Sequence, residues 1–243
     1  MTRVTVLGTE IDSTTQNEAV DRAMTAMHER KGAFVITPNA EYLLQAKTQR
    51  DLRQISQSAF LSLPDSIGVL AAARILKIPL HQRVTGIDFA FSLLKKMGER
   101  GRSVFLLGAR PGVAEAAADR LRELIPGLVI AGTSHGYFSS TDEKRICERI
   151  NTASPDLLIV CLGSPRQERW MYKNASALHV GLMAGLGGTL DVFAGNVDRA
   201  PEGWRKIGLE WLYRSIREPK RITRILRIPL IIPVSLRYRV RGK

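Results

Sequence analysis

The feature that most constrains this chain is a rhythm. Through about the first 190 residues, short apolar, β-rich runs alternate with stretches of helical periodicity. The runs lie at 4–7, 33–37, 60–63, 104–107, 128–131, 157–162 and 180–184. After the first, Ala19, Val20, Ala23, Met24 and Met27 share one face at helical spacing. Ser140 followed by Glu143 predicts a capping box opening the helix that contains Ile146 and Ile150. Continuously apolar strands separated by helices of about 12 residues predict a parallel or mixed sheet covered on both faces, an α/β fold of Rossmann-like lobes. A boundary between two lobes is expected near 98–101, within a body spanning 1–198.

Composition narrows the class. With 44% hydrophobic and 24% charged residues, disorder and collagen-like repeats are excluded. No run approaches the roughly 18 apolar residues of a membrane-spanning helix. The first residues, Met1 to Leu7, carry no long apolar core or small-residue cleavage site, so no signal peptide is expected. Cys147 and Cys161 are too few for a disulfide framework, and each lies in an apolar-periodic stretch. Buried free thiols in a reducing, cytoplasmic compartment are predicted.

The net charge of +13 is unevenly placed. Residues 199–243 hold thirteen Lys or Arg against three Glu, whereas the preceding 198 residues hold twenty-three basic and twenty acidic side chains. A nearly balanced body therefore precedes a basic appendage that would attract a polyanion: nucleic acid, a diphosphate or an anionic membrane face. In residues 202–228, Trp204, Ile207, Leu212, Ile216, Ile222, Ile225 and Leu226 interleave with basic positions, predicting helix broken or restarted at Pro219. Residues 227–237 form a short apolar patch flanked by Arg227 and Arg237, too short and too interrupted by proline to span a bilayer but suited to its interface.

In an open α/β sheet, ligands bind beyond the carboxyl ends of the strands. The segments there are Thr37-Pro38-Asn39, Pro64-Asp65-Ser66, Gly108-Ala109-Arg110-Pro111-Gly112, Gly163-Ser164-Pro165-Arg166-Gln167-Glu168 and Gly185-Leu186-Gly187-Gly188. Each has a structural reading: Asn39 and Asp65 suit N-caps, and Ser164 with Gln167 suits a capping box with Pro165 at the first helical position. The G-x-G-x-x-G dinucleotide spacing is absent. The four His residues show no metal-ligand spacing with one another or with either Cys. No Asp-x-Asp pair of the kind that holds a divalent ion on a sugar nucleotide is present.

Taken in order, these segments are more specific. Arg83-Val84-Thr85-Gly86-Ile87-Asp88, Gly136-Tyr137-Phe138, Gln167-Glu168-x-Trp170, Gly187-Gly188-x-x-Asp191, Arg199-Ala200-Pro201 and Gly208-Leu209-Glu210-Trp211-Leu212-Tyr213-Arg214 join those above. The combination resembles the WecG/TagA/CpsF family of bacterial glycosyltransferases over nearly the whole chain. That resemblance implies inverting, metal-independent and cofactor-free transfer of a sugar, N-acetylmannosamine or a relative. The donor would be a UDP-sugar and the acceptor an undecaprenyl-diphosphate-linked sugar at the cytoplasmic membrane face, in cell-wall polymer or exopolysaccharide synthesis. It also implies that the C-terminal appendage closes over the site and touches the membrane.

An inverting transfer needs one carboxylate to take the acceptor's proton, and Asp65 stands in the matching position. Thr37 and Asn39 would position acceptor or base, Gln167 a sugar hydroxyl or amide, and Arg83 a phosphate. Arg214, Arg221 and Arg224 would neutralise the departing UDP, their forked guanidinium groups suiting a diphosphate better than Lys. Apolar surface around the appendage would be covered by membrane, by a second copy of the chain, or by each in turn. Two other classes compete. A nucleic-acid-binding protein is disfavoured because the basic segment mixes Arg with Ile and Leu and aromatics are only 6%. Another nucleotide-dependent α/β enzyme would need a cofactor fingerprint where this chain has only Gly8-Thr9-Glu10.

Overall fold

A computed structural model describes residues 1–29, 32–80, 82–197, 201, 203 and 228–240. Its centre is a six-stranded, wholly parallel sheet in the order β4-β3-β8-β7-β5-β6. The strands are β3 (Ala33–Ile36), β4 (Leu61–Ser62), β5 (Ser103–Gly108), β6 (Val129–Ser134), β7 (Leu157–Cys161) and β8 (Leu182–Gly185). Burial on both faces follows from the continuous apolar runs. In β7, Leu157, Ile159 and Cys161 enter one core while Leu158 and Val160 enter the other. Residues of β5 and β8 alternate in the same way, as the two-residue period of a strand requires.

Helices α1 (Gln16–Glu29), α5 (Gly86–Gly98), α6 (Val113–Leu124) and α9 (Thr189–Phe193) cover the first face. Helices α2 (Ala40–Ala46), α3 (Arg50–Ser58), α7 (Ser140–Ala153) and α8 (Arg166–Asn174) cover the second. Helix α4 (Ile67–Ile75) packs in a third apolar cluster with residues of α2 and the chain's amino-terminal segment. The α/β architecture read from the sequence is thus the observed one, and the face of α1 formed by Ala19, Val20, Ala23, Met24 and Met27 is buried. One sheet runs through residues on either side of 98–101.

The first strand departs from the sequence reading. β1 (Thr2–Val6) does not begin a βαβ unit but pairs antiparallel with β2 (Thr9–Ser13) in a separate two-stranded sheet. Leu7 (φ +50°) and Gly8 (φ +81°) form the two-residue turn, whose left-handed pair of residues matches hairpin twist. Polar Thr9 and Asp12 hide β2 in the sequence, yet both are fully buried. Asp12 is satisfied by Arg3, whose Nε and Nη2 donate to its two carboxylate oxygens (2.9 and 2.8 Å), and by the Ser62 N–H (2.8 Å). The hairpin is thereby fastened to the edge strand β4.

Helix starts shift for similar reasons. Ser139, not Ser140, caps α7, with Asp142 completing the capping box. Asn39 does cap α2, accepting the Tyr42 N–H at 3.0 Å. Asp65 does not cap its own helix; Ser66 takes that role for α4. No side-chain cap opens α8, because Pro165, joined to Ser164 by a cis peptide bond, precedes it and the Gln167 side chain is engaged elsewhere.

Most of the basic segment, including Arg199, the stretch 204–227 and the helix read there, lies outside the described residues. Residues Ile228–Leu230 form a 3-10 turn leading into α10 (Ile231–Val240). Pro233, which reads in the sequence as an interruption, sits in the first turn of α10, where the missing N–H has no helical partner to lose. Ile231 and Ser235 are buried, α10 packs on α4, and the Arg239 guanidinium donates to the Ile75 carbonyl at 3.3 Å. No described helix is long and apolar enough to cross a membrane.

Candidate active site

At several places along the carboxyl edge of the sheet the chain leaves neighbouring strands toward opposite faces, and two of these places carry the segments quoted from the sequence. After β3 it turns to α2 on the second face, whereas after the adjacent β8 it turns to α9 on the first. The same divergence separates β5, followed by α6, from its neighbour β7, followed by α8. Such divergences open crevices beyond the strand ends, where α/β proteins seat ligands.

Asp65, Thr37, Asn39 and Gln167 all belong to the first crevice. Asp65 follows β4, beside β3; its N–H donates to the Pro38 carbonyl (3.2 Å) and its Oδ1 accepts the Gly86 N–H at 2.8 Å. The side chain is half-buried. The segment carrying Arg83 runs alongside, with the Val84 N–H donating to Pro64 (3.0 Å). Thr85 caps α5, accepting the Asp88 N–H (3.2 Å) and donating to Asp88 Oδ2 (2.5 Å). The Arg-Val-Thr-Gly-x-Asp sequence thus builds one unit: a half-buried arginine, a helix cap, and a backbone N–H that fixes Asp65.

Thr37 and Gln167 are buried and bonded to the turn after β8. The Thr37 hydroxyl donates to the Gly185 carbonyl at 2.9 Å. From the other side, Gln167 Oε1 accepts the Gly187 N–H at 3.0 Å, and its Nε2 donates to Glu168 Oε1 at 3.0 Å. Asn39 and Arg83 remain half-buried. Arg214, Arg221 and Arg224 lie outside the described residues.

Three residues carried no role in the sequence reading. Glu168 is 1% exposed, and its Oε2 has no hydrogen-bond partner among the described residues. Burial pushes its carboxyl above the usual range, and the Gln167 amide and Ser164 hydroxyl oppose that shift without cancelling it. Tyr137, beyond β6, is 69% exposed. Arg166 lies with its guanidinium 5.3 Å from the centre of the Phe138 ring. Hydrophobic periodicity marks a tyrosine as core or surface only by its neighbours, so an isolated exposed ring carries no signal. An acidic residue in a first helical turn reads as a favourable dipole partner.

The second crevice is closed at its base by backbone. The Ala109 N–H donates to the Cys161 carbonyl (3.0 Å), and the Gly136 N–H donates to Ala109 (2.9 Å). Gly108 is at φ +137°, and a Cβ there would lie 2.3 Å from the Cys161 oxygen, so only glycine fits. Among the described residues, no three His, Cys, Asp or Glu side chains are grouped to hold a metal ion. Cys161 is a buried free thiol pushed up to about 12 by desolvation, and Cys147 is free and half-buried.

The model of the glycosyl transferase WecG/TagA/CpsF family matches residues 4–243. The chain belongs to this family of glycosyltransferases. A relative from Bacillus spizizenii is 36% identical over 214 residues, covering 88% of this chain and 82% of its own. Another, from Staphylococcus aureus, is 35% identical over 232 residues, 95% of this chain and 91% of its own. Each is named N-acetylglucosaminyldiphosphoundecaprenol N-acetyl-beta-D-mannosaminyltransferase. Within this WecG/TagA/CpsF chain, the strand-end segments quoted from the sequence converge on the two crevices.

Proposed function

We propose that this chain transfers N-acetylmannosamine from a UDP-sugar to an N-acetylglucosamine carried on undecaprenyl diphosphate, with inversion at the anomeric carbon. The observation that carries the reading is the setting of Asp65: a carboxylate at the strand-end crevice, held by the Gly86 N–H and flanked by the Asn39 and Arg83 segments. The names of the two relatives supply the sugars.

In this reading the acceptor hydroxyl attacks the anomeric carbon, its proton passes to Asp65, and the bond to UDP breaks with its electron pair going to the β-phosphate oxygen. Asn39 and Arg83, half-buried at the rim, meet the acceptor sugar and its diphosphate. Thr37 and Gln167 act from beneath by fixing the 185–188 turn. The UDP-sugar enters the crevice between β5 and β7, where Tyr137 offers an exposed ring for base stacking. Arg214, Arg221 and Arg224, from the basic segment 199–243, balance the charge on UDP, a role that needs no metal ion.

The exposed side chains of α10 support peripheral attachment to a membrane. Leu230, Ile232, Leu236 and Val240 are 48% to 85% exposed beside Arg237 and Arg239, an apolar and basic pair of signals suited to an anionic interface. The deciding experiment supplies UDP-N-acetylmannosamine and a synthetic lipid-diphosphate N-acetylglucosamine, with the product anomer read by NMR. A β-linked disaccharide formed equally well after EDTA treatment supports the reading. Retention of the donor's anomeric configuration, or no transfer from this donor, overturns it.

A further inference from the structure

Glu168 stands out because it is a buried acid, one of whose oxygens has no partner among the described residues. Leaving a buried polar atom unpaired destabilises the fold, and an apolar side chain of similar size would avoid that cost. What an apolar residue cannot do is accept a hydrogen bond. Glu168 Oε1 accepts from Gln167 Nε2 (3.0 Å), and this decides which way the Gln167 carboxamide faces. With Nε2 turned to Glu168, Oε1 meets the Gly187 N–H (3.0 Å). A flipped amide would place Nε2 against that N–H, donor against donor.

The effect reaches the crevice. The turn that Gln167 holds through Gly187 is held on its other side by the Thr37 hydroxyl on Gly185. Between them Leu186 packs against Gly86, whose N–H binds Asp65. The Tyr42 hydroxyl on α2 is committed to the Leu52 carbonyl (2.8 Å), and of the groups that act on the Glu168 carboxyl, the Gln167 amide and the Ser164 hydroxyl, it is Gln167 that reaches on to the 185–188 turn. We propose that Glu168 is a positioning residue for sugar transfer: it orients the Gln167 carboxamide, which fixes the 185–188 turn against Gly86 and the Asp65 carboxylate. The role in transfer rests on the reading of Asp65 as the base; the role in orienting Gln167 does not.

The test uses the full chain with Glu168→Leu, Glu168→Gln and Gln167→Met. Glu168→Leu removes the acceptor, and kcat is expected to fall about 10–100-fold while KM for the acceptor stays within about threefold, the signature of a displaced group rather than lost binding. Glu168→Gln keeps an acceptor oxygen and is expected to recover kcat to within about threefold of wild type. Hydrogen exchange at the Gly187 amide is read in parallel, rising about tenfold or more in Glu168→Leu and Gln167→Met but not in Glu168→Gln. Should Glu168→Leu fail to fold, Gln167→Met carries the same two readouts. Wild-type kcat in the variant lacking the acceptor, an unchanged Gly187 amide, or a glutamine variant as impaired as the leucine one overturns the proposal. If Asp65→Asn proves fully active, the base assignment fails, while the exchange measurement still decides the relay.

Discussion

Asp65 and Gly86, twenty-one residues apart, are joined by a 2.8 Å hydrogen bond from the glycine N–H to the aspartate Oδ1. One bond thus links the end of the edge strand β4 to the first residue of α5, at the mouth of the crevice. The bond constrains the orientation of the carboxylate, and geometry precedes basicity in choosing a general base.

Replacing that carboxylate separates chemistry from architecture. Asp65→Asn keeps an oxygen for the Gly86 N–H, so its melting temperature is expected to stay within a few degrees of wild type. Its turnover is expected to drop by roughly 10²–10⁴-fold, the usual worth of a general base. Asp65→Ala is expected to lose the same turnover and, in addition, about 1 kcal/mol of stability with the hydrogen bond. Calorimetry and a radiolabelled sugar-transfer assay on the same preparations check both. Near-normal turnover of the asparagine variant removes Asp65 from the role.

Thr37 gives a complementary case. Its buried hydroxyl donates to the Gly185 carbonyl, so Thr37→Val leaves that oxygen without its donor at almost unchanged volume. A loss of about 1–2 kcal/mol in urea unfolding is expected, with Thr37→Ser recovering most of it. A valine variant as stable as wild type shows that another donor reaches Gly185.

Glu168 makes stability depend on pH in a defined direction. Because burial raises its carboxyl, a window opens between about 4.3, the ordinary glutamate value, and the native value. Within it the folded chain keeps a proton that the unfolded chain has released, so stability falls as pH rises. Glu168→Gln has no proton to lose there. The stability of wild type relative to this variant is therefore expected to be highest near pH 4 and to decline as pH rises through the window. Parallel urea titrations from pH 4 to 8 measure it, and a flat difference means that the native carboxyl is not held protonated.

How much was legible in the sequence depended on whether a residue's role was local. The strands β5, β7 and β8 could be read because both their faces are apolar, and the N-cap at Asn39 because its partner is three residues away. β2 could not, because Asp12 and Thr9 break its apolar pattern and Asp12 is satisfied by Arg3 and Ser62, nine and fifty residues distant. The edge strand β4 shrank to two residues, since an edge needs only one ladder. Asp65 was legible as a strand-end carboxylate but not as the partner of Gly86. Gln167 was legible as a polar group in a helix's first turn, but its bonds to Gly187 and Glu168 need the fold to exist first.

The last helix offers a test of where the protein works. On α10 the buried side, Ile231 and Ser235, packs toward α4, while Ile232 and Leu236 stand about half exposed beside Arg237 and Arg239. A charge placed on the exposed side leaves the packed side untouched. Ile232→Glu and Leu236→Glu are therefore expected to alter stability by less than about 0.5 kcal/mol, as surface substitutions do. Both are expected to weaken sedimentation with vesicles containing phosphatidylglycerol by about tenfold or more, since each removes buried apolar area and adds a charge of the lipid's own sign. Arg237→Gln is expected to lose less, about fivefold, in keeping with roughly 1 kcal/mol per basic residue near such a surface, and that loss is expected to fade as salt is raised. Full vesicle binding by the doubly substituted Ile232→Glu, Leu236→Glu chain would place the membrane contact elsewhere.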